Sequence, residues 1–293
     1  MEKILVTGAS GHFGKTAVKN LINKSGDSKK IYAMIRDENK AEDLKKMGAE
    51  VLIANYNDYS SLILAFKDID KILFVSSSDL SDRDNQHKNV INAAKEAQVK
   101  HILYTSVLQN ENIENSAIAF VNEVHIKTEK WLAESGLSYA IMRNSVYMDL
   151  IPFFIGNKVI ETQSIYFPAG NGKAAFALRS DMAEAAANIL LQNVFSEKIY
   201  PITNPQTYSY QDISDTISQI SGKEISYTSP SSEEYKKMLL EIGVSQEYIF
   251  FLSSFAEAQF QGEFDLVSED LKNLLGRKPV SLKEYLQHLF KES

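Results

Sequence analysis

A glycine triad near the start of the chain has the residue types and the spacing of a phosphate-binding loop. Gly8, Gly11 and Gly14 stand three residues apart in TGASGHFG, directly after the apolar run ILV. Where such a loop joins a strand to a helix, backbone N–H groups at the helix start face an anionic pyrophosphate. Gly8 would permit the tight turn, Gly11 the approach of the phosphate and Gly14 the close packing of the helix. The pattern predicts dinucleotide binding; the alternative is a turn that needs glycine only for its geometry.

The end of the second strand of such a unit distinguishes NAD from NADP. An acidic residue there binds the ribose 2′-hydroxyl, whereas an arginine accommodates the 2′-phosphate. Arg36 ends the segment KIYAMIR, Asp37 follows it directly, and Lys40 could add positive charge. Because arginine is the better bidentate partner for phosphate, the sequence favours NADP(H) over NAD(H). The alternative for Arg36 is a solvated charge at a strand end.

Polar side chains end three further apolar segments. They are Ser76, Ser77 and Ser78, then Thr105 and Ser106, then Asn144. Ligands of an open α/β sheet bind beyond the carboxyl ends of its strands, so we expect these groups to face the nicotinamide. The alternative is that they cap the helices that follow, and both roles can hold at once.

The usual proton donor of a short-chain dehydrogenase is missing. That donor is a Tyr-x-x-x-Lys pair, in which Lys lowers the Tyr pKa and Tyr protonates the carbonyl oxygen as hydride arrives. None of the 14 tyrosines has Lys four residues later, and Val121 and His125 occupy the matching positions in AFVNEVHIKTEK. The absence of this Tyr-Lys pair argues against epimerase chemistry and ordinary alcohol oxidation.

Two outcomes remain for a chain that holds the cofactor without this donor: the substrate accepts hydride without a strong acid, or the cofactor is only sensed. A quinone suits the first outcome, because hydride transfer gives a stabilised aromatic oxyanion that can take its proton from water. His125 is a weak candidate for an acid or a substrate-orienting group; its alternative is a helix-face histidine bonded to a neighbouring strand. The other histidines show no metal spacing, so we expect no metal site.

The composition excludes several classes of function. The absence of cysteine rules out disulfides, thiolate metal sites, Fe–S clusters and a cysteine nucleophile. The net charge is −7, and the lysines and arginines form no basic stripe for nucleic acid. Apolar runs such as LILAF are too short to cross a bilayer, and the start lacks a signal-peptide core. We expect a cytoplasmic protein with no membrane span and no nucleic-acid partner.

Strands and helices alternate through the first half of the chain, which predicts an α/β fold with a doubly wound parallel Rossmann sheet. The predicted strands lie in KILVTG, KIYAMIR, AEVLIAN, KILFVSSS, HILYTSV and LSYAIMRN. We predict an NADP-binding Rossmann domain over 1–150, to which later segments return, and a smaller, mostly helical C-terminal domain over 151–293 that binds substrate. The later half contains one more strand, KIYPITN, and a helix in SDMAEAAANILLQ with Ser180 or Asp181 as N-cap.

Aromatic residues follow the sixth strand and could sandwich a flat ring. These are Tyr147, Phe153, Phe154, Tyr166 and Phe167. The alternative is that they form the core of the smaller domain, and for Phe250, Phe251 and Phe255 we favour that alternative.

The chain resembles the NmrA-like group of atypical short-chain dehydrogenases, and within it the bacterial NAD(P)H:quinone oxidoreductases of type 2. The resemblance rests on VTGASGHFG, HIKTEKWLAESGLSYAIMRN and QHKNVINAAKEAQVKHILYTS, and it covers nearly the whole chain. The last of these stretches is specific, whereas far larger groups share the glycine loop. It implies a Rossmann domain with NADPH in the cleft and two-electron reduction of a quinone by direct hydride transfer, with neither a metal nor a flavin. A homodimer follows only by analogy.

The resemblance also assigns roles to individual residues. It places Gly8, Ser10, Gly11, His12 and Phe13 around the pyrophosphate, Arg36 on the 2′-phosphate, Ser76, Ser77 and Ser78 along the cofactor, Arg143 and Asn144 beside the nicotinamide, and Tyr147 and Phe153 in the quinone pocket. His12 stands where the group often has Gln, and Ser145-Val146 where a Gly-aromatic pair is expected, which leaves the size of the pocket and the substrate open.

Two alternatives to a quinone reductase remain. NmrA-like regulators bind dinucleotide without turning it over, so a non-catalytic NADP(H)-binding redox sensor is the first. The second is a reductase of another conjugated acceptor, such as a dye or an enone.

Overall fold

A computed structural model describes residues 2–77, 79, 82–109, 115–192, 194–195 and 197–291. Its strands are β1 Ile4–Val6, β2 Ile31–Ile35, β3 Glu50–Ile53, β4 Lys71–Phe74, β5 His101–Val107, β6 Ser138–Asn144, β7 Ser164–Tyr166, β8 Ile199–Ile202 and β9 Ser226–Thr228. Its helices are α1 His12–Ser25, α2 Glu42–Lys46, α3 Tyr59–Phe66, α4 Arg83–Glu96, α5 Ala119–Ser135, α6 Ile151–Ile155, α7 Val159–Thr162, α8 Arg179–Leu190, α9 Tyr210–Ser221, α10 Ser232–Glu241, α11 Gln246–Phe260, α12 Asp270–Leu275 and α13 Leu282–Lys291.

The main sheet has seven parallel strands in the order β3-β2-β1-β4-β5-β6-β8. Its central strands read as continuous apolar runs because helices cover both faces. One face packs against α1 and α8 in a core that includes Val18, Leu21 and Met182. The other packs against α3, α4 and α5 through residues such as Phe66 and Leu132. The predicted doubly wound parallel sheet is confirmed.

Segments that follow residue 150 complete the layers of this sheet. β8 pairs in parallel with β6, with Ile199 opposite Ile141 and Ile202 opposite Asn144. α8 packs on α1, and α12 packs on α8. The region 179–202 therefore lies with the Rossmann unit in space, although it comes late in the chain.

The remaining later segments build a second core beside the carboxyl ends of the strands. Helices α6, α9, α10, α11 and α13 and the two-stranded β7–β9 sheet surround buried aromatics such as Phe154, Phe167 and Tyr210. The rings of Phe167 and Tyr210 lie 4.6 Å apart. The predicted helical C-terminal part is confirmed, and α10 begins with a capping box formed by Ser231 and Glu234. Among the described helices, none combines the length and the apolar character needed to span a membrane.

The start of α8 differs from the prediction. The helix begins at Arg179, so neither Ser180 nor Asp181 is its N-cap. The Arg179 N–H donates instead to the Asp149 carboxylate at 2.9 Å, a partner 30 residues earlier in the chain. Asp181 is buried, and its carboxylate accepts bonds from the Val280 N–H and the Arg277 guanidinium. A cap supplied from a distant segment makes the local capping residue unnecessary.

Candidate active site

Two adjoining cavities lie at the carboxyl ends of the parallel strands. The first has a volume of about 450 Å³ and runs along the glycine loop and the end of β2. The second, of about 270 Å³, lies between the ends of β5 and β6, helix α5 and the second core. Val75, Ser76, Ser77 and Tyr147 line both cavities, so a molecule that fills the first reaches the second at this point.

The glycine loop forms one end of the first cavity. Gly8 has a φ of 58°, in the left-handed region that favours glycine. A Cβ on Gly14 would meet the Gly8 carbonyl oxygen and would lie 2.9 Å from Ala9 Cα, so only glycine lets α1 pack this closely on the loop. Among the described residues, no side chain caps α1 and its first turn has no acidic residue. Its free N–H groups and positive dipole end therefore suit a phosphate.

The opposite end of the first cavity carries two cations. Arg36 and Lys40 both line it, at the point where β2 ends. Asp37, their neighbour in sequence, is not a lining residue; its carboxylate accepts bonds of 3.0 Å from the backbone N–H and the side-chain amide of Asn39. The acidic residue is engaged in capping the short 3₁₀ turn Glu38–Lys40. This end of the cavity therefore suits an anionic group rather than a bare ribose hydroxyl.

Arg179 and Asp149 connect the glycine loop to the middle of the site. The Arg179 guanidinium lies over the Tyr147 ring, 5.2 Å from its centroid, and its Nε is 3.5 Å from the Asp149 carboxylate. Asp149 also lies 3.8 Å from His12 Nδ1. Sequence reasoning does not identify Arg179 as a site residue, because only the packing of α8 on α1 brings it to this cavity.

A buried amide lies in the wall of the second cavity. Asn144, the last residue of β6, is 2% exposed, and in the part of the chain that the structure describes neither its Oδ1 nor its Nδ2 atom has a hydrogen-bond partner. Buried polar atoms are almost always paired in folded proteins, so an unpaired amide that lines a cavity fits a ligand with both a donor and an acceptor. The carboxamide of a nicotinamide has both. Together with the uncapped helix and the two cations, this amide makes the residues fit a phosphorylated dinucleotide.

His125 and Arg83 form the polar wall of the second cavity. The Arg83 Nη2 donates to His125 Nε2 at 3.1 Å and to Ser76 Oγ at 2.7 Å. A guanidinium cannot accept a hydrogen bond, so His125 Nε2 carries no proton and the Nδ1–H bonds the Tyr104 hydroxyl at 2.8 Å. Burial, followed by the charge of Arg83, lowers the pKa of His125 well below its usual range. His125 is therefore neutral and has no proton to give to the cavity.

The positions that match the Tyr-x-x-x-Lys pair face this second cavity. Val121 and His125, one turn apart on α5, both line it. Tyr147 lines it as well, and burial raises the pKa of its hydroxyl, which makes the phenol a weaker acid than a free tyrosine.

A second histidine holds the backbone between the two cavities. His87 is fully buried; its Nδ1 bonds the Thr128 hydroxyl at 2.8 Å, and its Nε2 accepts the Ser77 N–H at 3.2 Å. Thr128 donates its own proton to the Val124 carbonyl at 2.6 Å, so the Nδ1 of His87 is the protonated nitrogen. Burial, followed by Arg83, lowers the pKa of His87 to about 3. A neutral, fixed imidazole thus sets the path of the chain after β4.

Most of the residues predicted to form the site lie together. The first cavity is lined by Gly8, Ser10, Gly11, His12, Phe13, Gly14, Arg36, Ser76 and Ser77, and the second by His125, Asn144 and Tyr147. Ser78 lies outside the described residues. Arg143 lines neither cavity, because its guanidinium makes an ion pair with Glu129 at 2.6 Å.

Of the five aromatic residues predicted to sandwich a flat ring, Tyr147 lines the two described cavities and the other four do not. Phe153 is 43% exposed and lines neither cavity, because the turn of α6 directs Ile151, Phe154 and Ile155 into the core and Phe153 outward. Phe154 and Phe167 are core residues, and Tyr166 lies at the surface of β7. Phe255, for which we favoured a core role, packs against the second core and also lines the second cavity beside Phe264. Its position on α11 gave no local signal for this role.

Comparisons with known proteins agree with this arrangement. The model of the NmrA-like family matches residues 1–286. Quinone oxidoreductase 2 of Escherichia coli is 33% identical over 288 residues, which cover 98% of each chain. The structure of an E. coli NADPH-dependent quinone oxidoreductase complexed with NADPH superposes with a TM-score of 0.91 at 31% identity, covering 98% of this chain and 99% of that one.

A second solved relative acts on a different class of acceptor. The triphenylmethane reductase of Citrobacter sp. complexed with NADP(H) has a TM-score of 0.89 at 32% identity, with 98% of this chain and 99% of that one covered. The resemblance predicted from the sequence motifs is confirmed. With a family model that spans nearly its whole length and a relative above 30% identity, this chain belongs to the NmrA-like family.

Proposed function

We propose that this protein is an NADPH-dependent reductase that passes hydride directly to a quinone. The observation that carries the proposal is the continuity of the two cavities. A cavity with the residues for a phosphorylated dinucleotide meets, at Ser76, Ser77 and Tyr147, a smaller cavity with aromatic and aliphatic walls. Its similarity to quinone oxidoreductase 2 supports the same assignment.

The residues of the first cavity would hold NADPH by its charged groups. The start of α1 would bind the pyrophosphate, Arg36 and Lys40 the 2′-phosphate, and Asn144 the carboxamide. Bound NADPH supplies a hydride, which is one proton with two electrons. The preference for NADPH over NADH follows from the pair of cations at the end of β2 and from the engagement of Asp37 elsewhere.

The second cavity favours an acceptor that needs no strong acid. Val121 cannot donate a proton, His125 is neutral with its only proton on the side of Tyr104, and the Tyr147 hydroxyl has a raised pKa. An acceptor whose reduced form is stable as an anion avoids this difficulty, because water can protonate it afterwards. Quinones meet that condition, whereas simple ketones and aldehydes do not.

The direct test measures the oxidation of NADPH with and without a neutral benzoquinone or naphthoquinone, beside separate titrations of NADPH and NADP⁺ binding. We expect quinone-dependent oxidation. Tight binding of both nucleotides with no acceleration by any quinone would refute the quinone reductase and leave the redox sensor or a reductase of another conjugated acceptor.

Phe255 and Phe153 give a matched pair of substitutions that test the acceptor cavity. Phe255→Ala removes a lining ring and should raise KM for the quinone by about 2- to 10-fold, the effect of one aromatic contact. Phe153→Ala removes a ring outside both cavities and should leave KM unchanged. Equal effects of the two substitutions would place the quinone elsewhere.

A second candidate is the reduction of a conjugated dye. The similarity to the Citrobacter triphenylmethane reductase favours it. The two candidates differ in the charge of the acceptor, because a triarylmethane dye is a cation that hydride neutralises and a quinone is a neutral molecule that hydride makes anionic.

A further inference from the structure

Arg83 places a buried positive charge in the wall of the second cavity. Its side chain is 8% exposed and lines the cavity, at the first residue of α4. Its Nη2 bonds a hydroxyl and an imidazole rather than a carboxylate, and among the described residues its Nε is buried without a hydrogen-bond partner. A buried charge is normally paired, because its removal from water is costly. The charge of Asp84 acts on Arg83, but within the described part of the chain no carboxylate forms an ion pair with the guanidinium, and this pattern points to an anionic ligand.

The surroundings hold this guanidinium in place without neutralising it. Ser76 Oγ accepts from Nη2, and the Ser76 N–H donates to Thr105 Oγ1 at 2.9 Å, which ties the hydroxyl to the end of β5. His125 accepts through Nε2, and its ring is fixed from the other side by Tyr104. Both neighbours of Arg83 are uncharged. They are positioning residues that direct the cation toward the cavity.

We propose that Arg83 binds the carbonyl oxygen of the acceptor and stabilises the negative charge that hydride transfer leaves there. This inference rests on the proposed function and deepens it by naming the acceptor class. Neutral acceptors that become oxyanions are substrates, and cationic dyes are disfavoured because they would enter beside a fixed positive charge. Arg83 thus replaces the tyrosine of the missing pair as the electrophile, without donating a proton.

The reaction balances without another reactant. Hydride leaves NADPH, which becomes NADP⁺, and forms an O–H bond at one carbonyl oxygen of the quinone; the ring becomes aromatic and the other carbonyl oxygen becomes O⁻. Arg83 pairs with that O⁻ until a proton from water completes the hydroquinone. In total, one quinone, one NADPH and one proton give one hydroquinone and one NADP⁺.

Binding of a phenolate tests the anion site without turnover. 4-Nitrophenolate is a coloured analogue of the reduced quinone anion, and its absorption separates it from the neutral phenol. We expect the wild-type protein with NADP⁺ to bind the phenolate about 10- to 100-fold more tightly than Arg83→Met, the range for a hydrogen bond to a charged group. Lys88→Met is the matched control. It removes one charge from the exposed face of the same helix, where Lys88 lies over the Trp131 ring, and should bind like wild type.

Steady-state kinetics give a second test of the role of Arg83. Arg83→Met should lower kcat for a benzoquinone by about 10²- to 10³-fold, as the loss of an oxyanion donor does. Arg83→Lys should restore part of that loss. The ratio of kcat/KM for a cationic triarylmethane dye to that for the quinone should rise in Arg83→Met and not in Lys88→Met.

The outcomes separate this inference from the proposed function. If the wild type shows no quinone-dependent oxidation of NADPH, the proposed function fails. Suppose that the wild type reduces quinones, but Arg83→Met has the same phenolate affinity and the same dye-to-quinone ratio of kcat/KM as the wild type. The assignment of Arg83 is then overturned while the proposed function stands. Absence of phenolate binding to the wild type also overturns it. A folded Arg83→Gln variant repeats both measurements if Arg83→Met does not fold.

Discussion

Arg36 offers the sharpest single test of how the protein chooses its nucleotide. Arg36 and Lys40 line the same end of the first cavity, and Asp37 is turned to the backbone of Asn39. The substitution Arg36→Ala removes one of two cations without introducing a new group. If Arg36 holds the 2′-phosphate, the change weakens NADPH binding and leaves NADH binding unaltered, because NADH lacks that phosphate.

The structure sets the expected size of the effect. A hydrogen bond to a charged group contributes about 1.5–3 kcal/mol. Arg36 is exposed, so solvent screens it, and Lys40 remains in the variant. Both facts place the loss near the lower limit, about 1.5 kcal/mol, which corresponds to a roughly tenfold rise in Kd for NADPH.

Nucleotide titrations followed by reduced-nicotinamide fluorescence measure this difference directly. The ratio of Kd for NADH to Kd for NADPH should fall about tenfold in Arg36→Ala, and further in Arg36→Glu, where an added negative charge repels the phosphate. Asp37→Asn keeps the capping geometry and should preserve the wild-type ratio. A ratio that is unchanged in Arg36→Ala, or one that changes in Asp37→Asn instead, would refute the assignment.

Two further predictions concern the glycine loop and the buried histidines. Gly14→Ala should lower the free energy of unfolding by about 1–3 kcal/mol, because its Cβ would meet the backbone of Gly8 and Ala9. Urea unfolding should show a smaller loss of stability for Gly11→Ala. Equal losses in the two variants would contradict this packing of Gly14. The pKa of His87 is lowered to about 3, so the unfolded chain takes up a proton below pH 6.5 that the folded chain refuses, and stability falls as the pH drops from 6.5 toward 3. At about pH 5 this group alone should cost roughly 2 kcal/mol. In His87→Gln this contribution to the pH dependence of the free energy of unfolding should vanish. If the stability of the variant falls between neutral pH and pH 5 as steeply as that of the wild type, His87 does not cause the fall.

The sheet and most helices could be predicted because their signals are local. Each strand of the main sheet is a short apolar run between helical segments, and Gly26 and Gly136 end α1 and α5 in the left-handed conformation. The strands β7 and β9 were not predicted. Each has three residues, at most one of them buried, and they pair only with each other. Such strands exist because the second core brings them together.

The candidate site likewise contains residues that the sequence predicts and residues that it does not predict. The glycine loop and Arg36 are contiguous with the elements that position them, so their spacing predicts their role. Arg83 and Arg179 carry no comparable signal, because each lies at the start of a helix whose direction depends on packing. Arg143 shows the converse case: it lies on the predicted strand β6, but Glu129 on the neighbouring helix pairs with it. Sequence spacing predicts which groups reach the sheet edge, whereas long-range ion pairs decide which of them remain available for a ligand.

In the proposed reaction, hydride passes directly from NADPH in the first cavity to the acceptor in the second. Single-turnover oxidation of NADPH by a quinone, compared with NADPH that carries deuterium at the transferred position, measures this transfer. We expect a primary isotope effect on the disappearance of the reduced nicotinamide, which depends on the quinone and appears without any added flavin or metal. Oxidation that shows no isotope effect, or that requires an added flavin or metal, would contradict it.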